Sequence, residues 1–196
     1  MNKIESGTGE YEEWDKNKKE AFLDKAMMVM ERYCLKYLGA VVPLEEFKRL
    51  DMVSKGKLQD PYFVALEDTI LNAGCIADEL FPHSDRECIE ILCDREEKFQ
   101  AKALKVFNAC EKDIRFGHRL AAFGFGRMDR VLPLQAADLV AYELLRCGRM
   151  LLDPNENVFD SPRPLFKRLV DKKMVEFETR YTVEDLKKRT PFNYTS

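Results

Sequence analysis

The chain has 196 residues, of which 45% are hydrophobic and 34% charged, with a formal net charge of −3. That length supports a substantial core and that balance belongs to a globular protein, which excludes a disordered chain. The negative sum excludes a global positive field for nucleic acid, although 32 Lys and Arg leave room for a local basic groove.

In chain order, residues 1–13 read as a loose, acidic lead-in containing Gly7 and Gly9. The polar start from Met1 to Asn17 does not resemble a secretory signal. No apolar run approaches the roughly 20 residues of a membrane span. Helical spacing begins near Trp14 and carries Phe22, Ala26, Met30 and Tyr33 to about Cys34. Tyr37 to Val42 reads as a strand closed by Pro43, and Leu44 to Leu50 as a short helix or turn. Asp60-Pro61 is a helix start, with proline at the first helical position. The stripe that follows, to about Glu79, runs through Phe63, Leu66, Ile70 and Ala73.

Pro82 to Asp85 is a loop. Glu87 to Cys93 alternates as a strand and ends at Asp94, and a helix is expected from Glu96 to about Lys112. Arg119 to Phe125 reads as a further strand, closed by Gly124 and Gly126. A helix from Leu134 to about Met150 precedes the loop Asp153-Pro154-Asn155-Glu156-Asn157. Arg163 to Lys172 reads as helix, Met174 to Tyr181 as a short strand, and Val183 to Lys188 as a last helical turn. The alternation predicts one α/β domain over residues 14–196, a core over 14–152 and a C-terminal extension over 153–196. Its sheet is expected to be largely parallel and flanked by helices.

The six cysteines are Cys34, Cys75, Cys88, Cys93, Cys110 and Cys147. None forms a C-x-x-C pair, and several lie in apolar runs. Free thiols in a reducing cytoplasm are the expectation, rather than zinc ligands or a disulfide framework. His83 and His118 have no motif partner and read as loop or surface residues. Phe123-Gly124-Phe125-Gly126 lacks a phosphate-loop lysine, so it reads as a strand end with close backbone approach.

Two aspartates stand out. Asp138 lies in Pro133-Leu134-Gln135-Ala136-Ala137-Asp138-Leu139-Val140-Ala141-Tyr142-Glu143, where Leu134, Ala137, Ala141 and Leu145 mark an apolar stripe that Leu139 and Val140 widen. Gln135, Asp138 and Tyr142 are three and four apart and share one helix edge. A carboxylate amid apolar residues requires a donor, a cation or a metal; the bland alternative is a polar pair bonded to neighbouring backbone. Glu143, five residues on, points away from Asp138 on an ideal helix. It stands with Gln135 and Tyr142 only as a supporting residue. Asp94 directly follows an apolar strand, and in α/β sheets ligands bind outside the carboxyl ends of strands. Its alternative role is N-cap of the next helix. Two carboxylates converging on Mg²⁺ or Mn²⁺ would suit phosphodiester hydrolysis.

The segment from Leu134 to Glu143 resembles the LQ-A-D-x-x-A-Y helix of the DUF3800 family of uncharacterised bacterial and phage proteins. The strand ending at Asp94-Arg95 is a second likeness, and Gly9-Glu10-Tyr11-Glu12-Glu13-Trp14 a weaker third; together they span most of residues 9–150. The resemblance implies a ribonuclease-H-like layer architecture. It also implies Asp94 and Asp138 as catalytic and metal-binding residues of a nuclease using Mg²⁺ or Mn²⁺. Members usually begin with a strand ending in Asp-Glu-Ser-Gly. Here Ile4-Glu5-Ser6-Gly7 echoes that motif with no apolar strand before it. The departure implies a reduced sheet, one acidic ligand fewer and an exposed edge.

Two functions follow as expectations: a metal-dependent phosphodiesterase or nuclease acting on nucleic acid, or a non-catalytic binding or assembly module. In the second, a further copy of the chain completes the sheet as a homo-oligomer. A cytoplasmic protein whose Asp138 is purely structural is the plainest option. No membrane partner is expected.

Overall fold

The computed structural model describes residues 12–34, 36–45, 47–49, 60–82, 84, 87–127, 130–152, 164–171 and 175–178. The chain divides into two compact units, Met1–Tyr37 with Gln135–Glu176, and Leu38–Leu134 with Phe177–Ser196. The expected lead-in falls mostly outside the described residues, as do the loop after residue 152 and the helical turn near Val183.

The first unit opens with α1 (Lys16–Tyr33). It starts where it does because the Asp15 carboxylate accepts the Lys18 N–H at 2.7 Å, filling one of the unpaired donors of the first turn. Trp14 packs edge-on against Phe22 at 5.4 Å. Met27 and Met30 are the buried residues of the helix. The expected stripe is corrected at both ends, since Phe22 and Tyr33 are exposed. α5 (Pro164–Asp171) packs on α1. Arg168 is the link, with its guanidinium forked onto both carboxylate oxygens of Glu31 and 3.7 Å from Asp24. Planar, two-point pairing of this kind fixes direction as well as distance.

The second unit is a strand–helix–strand layer. α2 (Pro61–Leu80) is capped by Asp60, whose carboxylate accepts the Tyr62 N–H, with proline in its first turn. β2 (Ile89–Asp94), α3 (Glu97–Cys110) and β3 (Leu120–Gly126) follow. β2 and β3 pair in parallel, with Ile91 opposite Phe123 and Asp94 opposite Gly126, and an irregularity between Ile89 and Glu90. Two parallel strands cannot be joined by a tight turn, so α3 makes the crossover. Strand alternation puts Ile91 against the helices, while Glu90, Leu92 and Asp94 are exposed on the other face. Phe63, Ile70, Ala103, Val106, Phe107, Cys110 and Leu120 form the core, with Phe123 and Phe125 packed on it. Phe107 stacks on Phe123 at 5.0 Å.

β1 (Tyr37–Ala40) and β4 (Val175–Glu178) pair with one another. The α/β class therefore stands, with a small parallel sheet flanked by helices. One larger sheet does not: the described strands form two separate pairs. Alternation marks a segment as a strand but does not encode its partner, which is chosen by distant backbone pairing.

One buried cation organises the second unit. Arg119, 3% exposed, ends a short 3₁₀ turn (Gly117–Arg119) before β3. Its guanidinium donates to the Asp78 carboxylate and to the carbonyls of Phe81, Ser84 and Glu87. A single side chain thus ties the C-terminal end of α2 to the approach to β2, and places a positive charge at the negative end of the α2 dipole.

Candidate functional site

Asp94 closes β2 at the carboxyl edge of the parallel pair. The Arg95 N–H donates to the Gly126 carbonyl at 2.8 Å and to the Asp94 carboxylate at 2.9 Å. The first bond carries the ladder one step past the strands; the second turns the Asp94 side chain back over the strand end. Glu96, not Asp94, occupies the N-cap position of α3, and it makes no side-chain capping bond. The capping alternative for Asp94 is corrected on that ground: α3 begins at Glu97, so its N-cap position falls two residues beyond Asp94.

The N-terminus of α2 meets this strand end. Burial, then the charges of Cys93, Glu96, Asp94 and Asp60, hold the Tyr62 hydroxyl above its ordinary pKa. Tyr62 stacks on Phe99 at 4.9 Å with an interplanar angle of 19°. Phe63 closes the cluster edge-on, 5.2 Å from Tyr62 and 5.8 Å from Phe99. Lys98 stands over the Phe99 ring at 4.6 Å and pairs with Glu96 at 2.9 Å. Burial pushes the Cys93 thiol up, so it is no thiolate nucleophile at neutral pH.

The donor set admits a hard divalent ion on narrow terms. Asp94 and Asp60 carry carboxylate oxygens that each already accept a backbone N–H, from Arg95 and Tyr62, and Glu96 pairs with Lys98. Among the described residues no group of three or more His, Cys, Asp or Glu is arranged to hold a metal. Mg²⁺ is commonly held by one or two carboxylates with water and substrate phosphates completing its shell. Asp94 fits a site of that kind and not an all-protein cage.

Gln135, Asp138, Tyr142 and Glu143 lie on α4 (Leu132–Leu152), whose side chains are described through Leu145. From Gln135 onward this helix belongs to the first unit, whereas Asp94 belongs to the second. Gln135 and Asp138 are exposed and Tyr142 is half-buried. Of the expected stripe Leu134 and Val140 are buried and Leu139 is half-buried, but the buried face is turned from the line through Ala137, Ala141 and Leu145. Ala137, Ala141 and Leu145 face out, while Val140, Glu143 and Leu144 are buried. The reason is area: that line rests on two alanines, and burying Val140 and Leu144 removes far more apolar surface from water. The buried carboxylate of this helix is therefore Glu143, 1% exposed, rather than Asp138. Its signal was present, since Glu143 is three residues beyond Val140.

A variant pair checks this rotation. Asp138→Lys is expected to change stability by under about 0.5 kcal/mol, as exposed substitutions usually do. Glu143→Lys is expected to cost about 3 kcal/mol or more by placing a cation where a buried carboxylate stood. Urea unfolding of both variants makes the comparison, and equal midpoints would contradict the orientation.

The remaining candidates fall simply. His118 is half exposed, 3.3 Å from Asp78, and His83 lies outside the described residues. Cys34, Cys75, Cys88, Cys93 and Cys110 are in no disulfide, and burial pushes the Cys110 thiol up to about 12. No helix of the described residues is long and apolar enough to cross a membrane. The chain matches no family model, no curated protein and no solved structure.

Proposed function

We propose that the chain is a ribonuclease-H-like relative of the DUF3800 proteins, a metal-dependent phosphodiesterase or nuclease acting on nucleic acid. The observation that carries this reading is Asp94, an exposed carboxylate closing a parallel strand. It sits at the edge where α/β sheets bind ligands. Asp94 is the Mg²⁺ or Mn²⁺ ligand of the strand end; Asp138, with Gln135 and Tyr142 along one helix edge, is a metal-binding candidate on the strength of its own motif. A bound ion supplies charge neutralisation at phosphate and a more acidic water. The chain's own part is to hold the Asp94 carboxylate at the strand end through the Arg95 N–H. Glu143, buried beside Val140 and Leu144, serves the packing of α4.

The second reading, a binding or assembly module, has one observation in its favour. Among the described residues β2 and β3 pair only with each other, and a two-stranded pair is the kind of sheet that strand addition by another copy extends. Calorimetric Mn²⁺ titration of wild type, Asp94→Asn and Asp138→Asn decides between them. The nuclease reading expects saturable binding that each substitution weakens at least about tenfold. Equal, negligible heats in all three would leave the assembly module.

A further inference from the structure

α3 carries a row of lysines on a chain whose net charge is negative, the first of them, Lys98, paired with Glu96. Lys98, Lys102 and Lys105 are spaced four and three apart, so they line one ridge roughly 10 Å long. All three are exposed. At the ridge's N-terminal end stands Tyr62, 41% exposed, held flat against Phe99. Lys98 and Lys102 lean over the rings of Phe99 and Phe63 at 4.6 and 5.5 Å. The exposed Tyr62 ring and the lysines therefore share one surface over the partly buried Phe99 and the buried Phe63, next to the strand end that bears Asp94.

We infer that this surface binds single-stranded nucleic acid, with a base stacked on Tyr62 and the backbone phosphates tracking the Lys98–Lys102–Lys105 ridge. Each part answers a distinct feature of that ligand. A row of ammonium groups neutralises successive phosphates without regard to sequence. An exposed aromatic ring already fixed by a stacked neighbour offers a face to any base at little ordering cost. Paired bases in a duplex present edges rather than free faces, so the aromatic element selects a single strand. An acidic peptide would satisfy the lysines and leave the Tyr62–Phe99 stack without a purpose. The Asp94 and Glu96 carboxylates confine phosphate to the lysine side of Tyr62.

The inference deepens the reading above by naming the form of the substrate, but binding here does not need a metal. The test is fluorescence anisotropy of a labelled single-stranded oligothymidylate about 12 nucleotides long, in EDTA, against the intact chain. Wild type is expected to bind with affinity that falls with salt, with a log–log slope of about −0.7 for each phosphate neutralised. Tyr62→Ala should weaken binding about tenfold, and Tyr62→Phe, which keeps the stack, should bind as wild type does. Lys102→Gln should reduce the slope by about 0.7. Three outcomes would each overturn the inference: no anisotropy change with wild type, undiminished binding by Tyr62→Ala, or equal competition by polyglutamate. Because divalent ions are absent, failure of this experiment and failure of the Mn²⁺ titration are separate results.

Discussion

Replacing Arg119 with alanine is expected to cost about 3–5 kcal/mol of stability, the range seen when one partner of a buried charged network is removed. The size follows from what the guanidinium leaves behind. Three carbonyls, of Phe81, Ser84 and Glu87, lose a charged donor at once, and each such bond is worth more than a neutral one. Arg119→Lys is expected to recover little of the loss, because an ammonium presents a point charge where a planar fork reaches four acceptors. Urea unfolding with a common slope checks both variants.

The same clamp predicts an acid signature. The hydrogen bond from Arg119, with its charge and that of His118, holds the Asp78 carboxyl below its ordinary value of 3.8. A depressed aspartate contributes stability that is full above its unfolded pKa. That contribution is lost as pH falls through the folded pKa. Wild type should therefore weaken on the acid side of pH 3.8 more steeply than Arg119→Ala, in which Asp78 has lost the partner that lowered it.

The second large effect is expected at Gly117. A Cβ there would lie 2.0 Å from the Glu111 carbonyl oxygen and 2.7 Å from its carbon. Both are backbone atoms at the end of α3, and the Gly117 N–H is already engaged by the Asp113 carbonyl at 2.8 Å. No side chain is available to swing aside, so the turn itself must open. Gly117→Ala should cost about 3 kcal/mol or more, at the severe end for overpacking. Gly124→Ala is the matched control: its Cβ would meet Leu92 Cδ1 at 3.5 Å, an ordinary contact. A thermal melt that lowers both variants equally would contradict the packing described for the turn.

These two positions also show where the sequence falls silent. Helix starts were legible because their chemistry is local: Asp15 and Asp60 each cap a helix from within two or three residues. The strand to Asp94 and the strand after Arg119 were legible from alternation and from the glycines that close them. Arg119 itself was not, because its acceptors lie 32 to 41 residues away and no spacing rule links them. The faces of α1 and α4 were harder than their ends. On α4 a stripe containing Ala137 and Ala141 competes with one containing Val140 and Leu144, and periodicity weighs them alike although burial does not. Asp138 is therefore expected among apolar neighbours and Glu143 only as a supporting residue, the reverse of their burial. The position of Asp94 was readable from its strand, whereas the Tyr62–Phe99 stack beside it joins two helices that only the tertiary fold brings together.

The strand-end carboxylate is the centre of this account, and Asp94→Asn probes it with little disturbance. Asparagine keeps the size of the side chain and an oxygen to accept the Arg95 N–H, and removes only the charge a divalent ion requires. The most direct measurement is therefore the Mn²⁺ isotherm of Asp94→Asn beside wild type at matched stability. Binding that is saturable in wild type and lost in the variant is the predicted result; superimposable isotherms would contradict it.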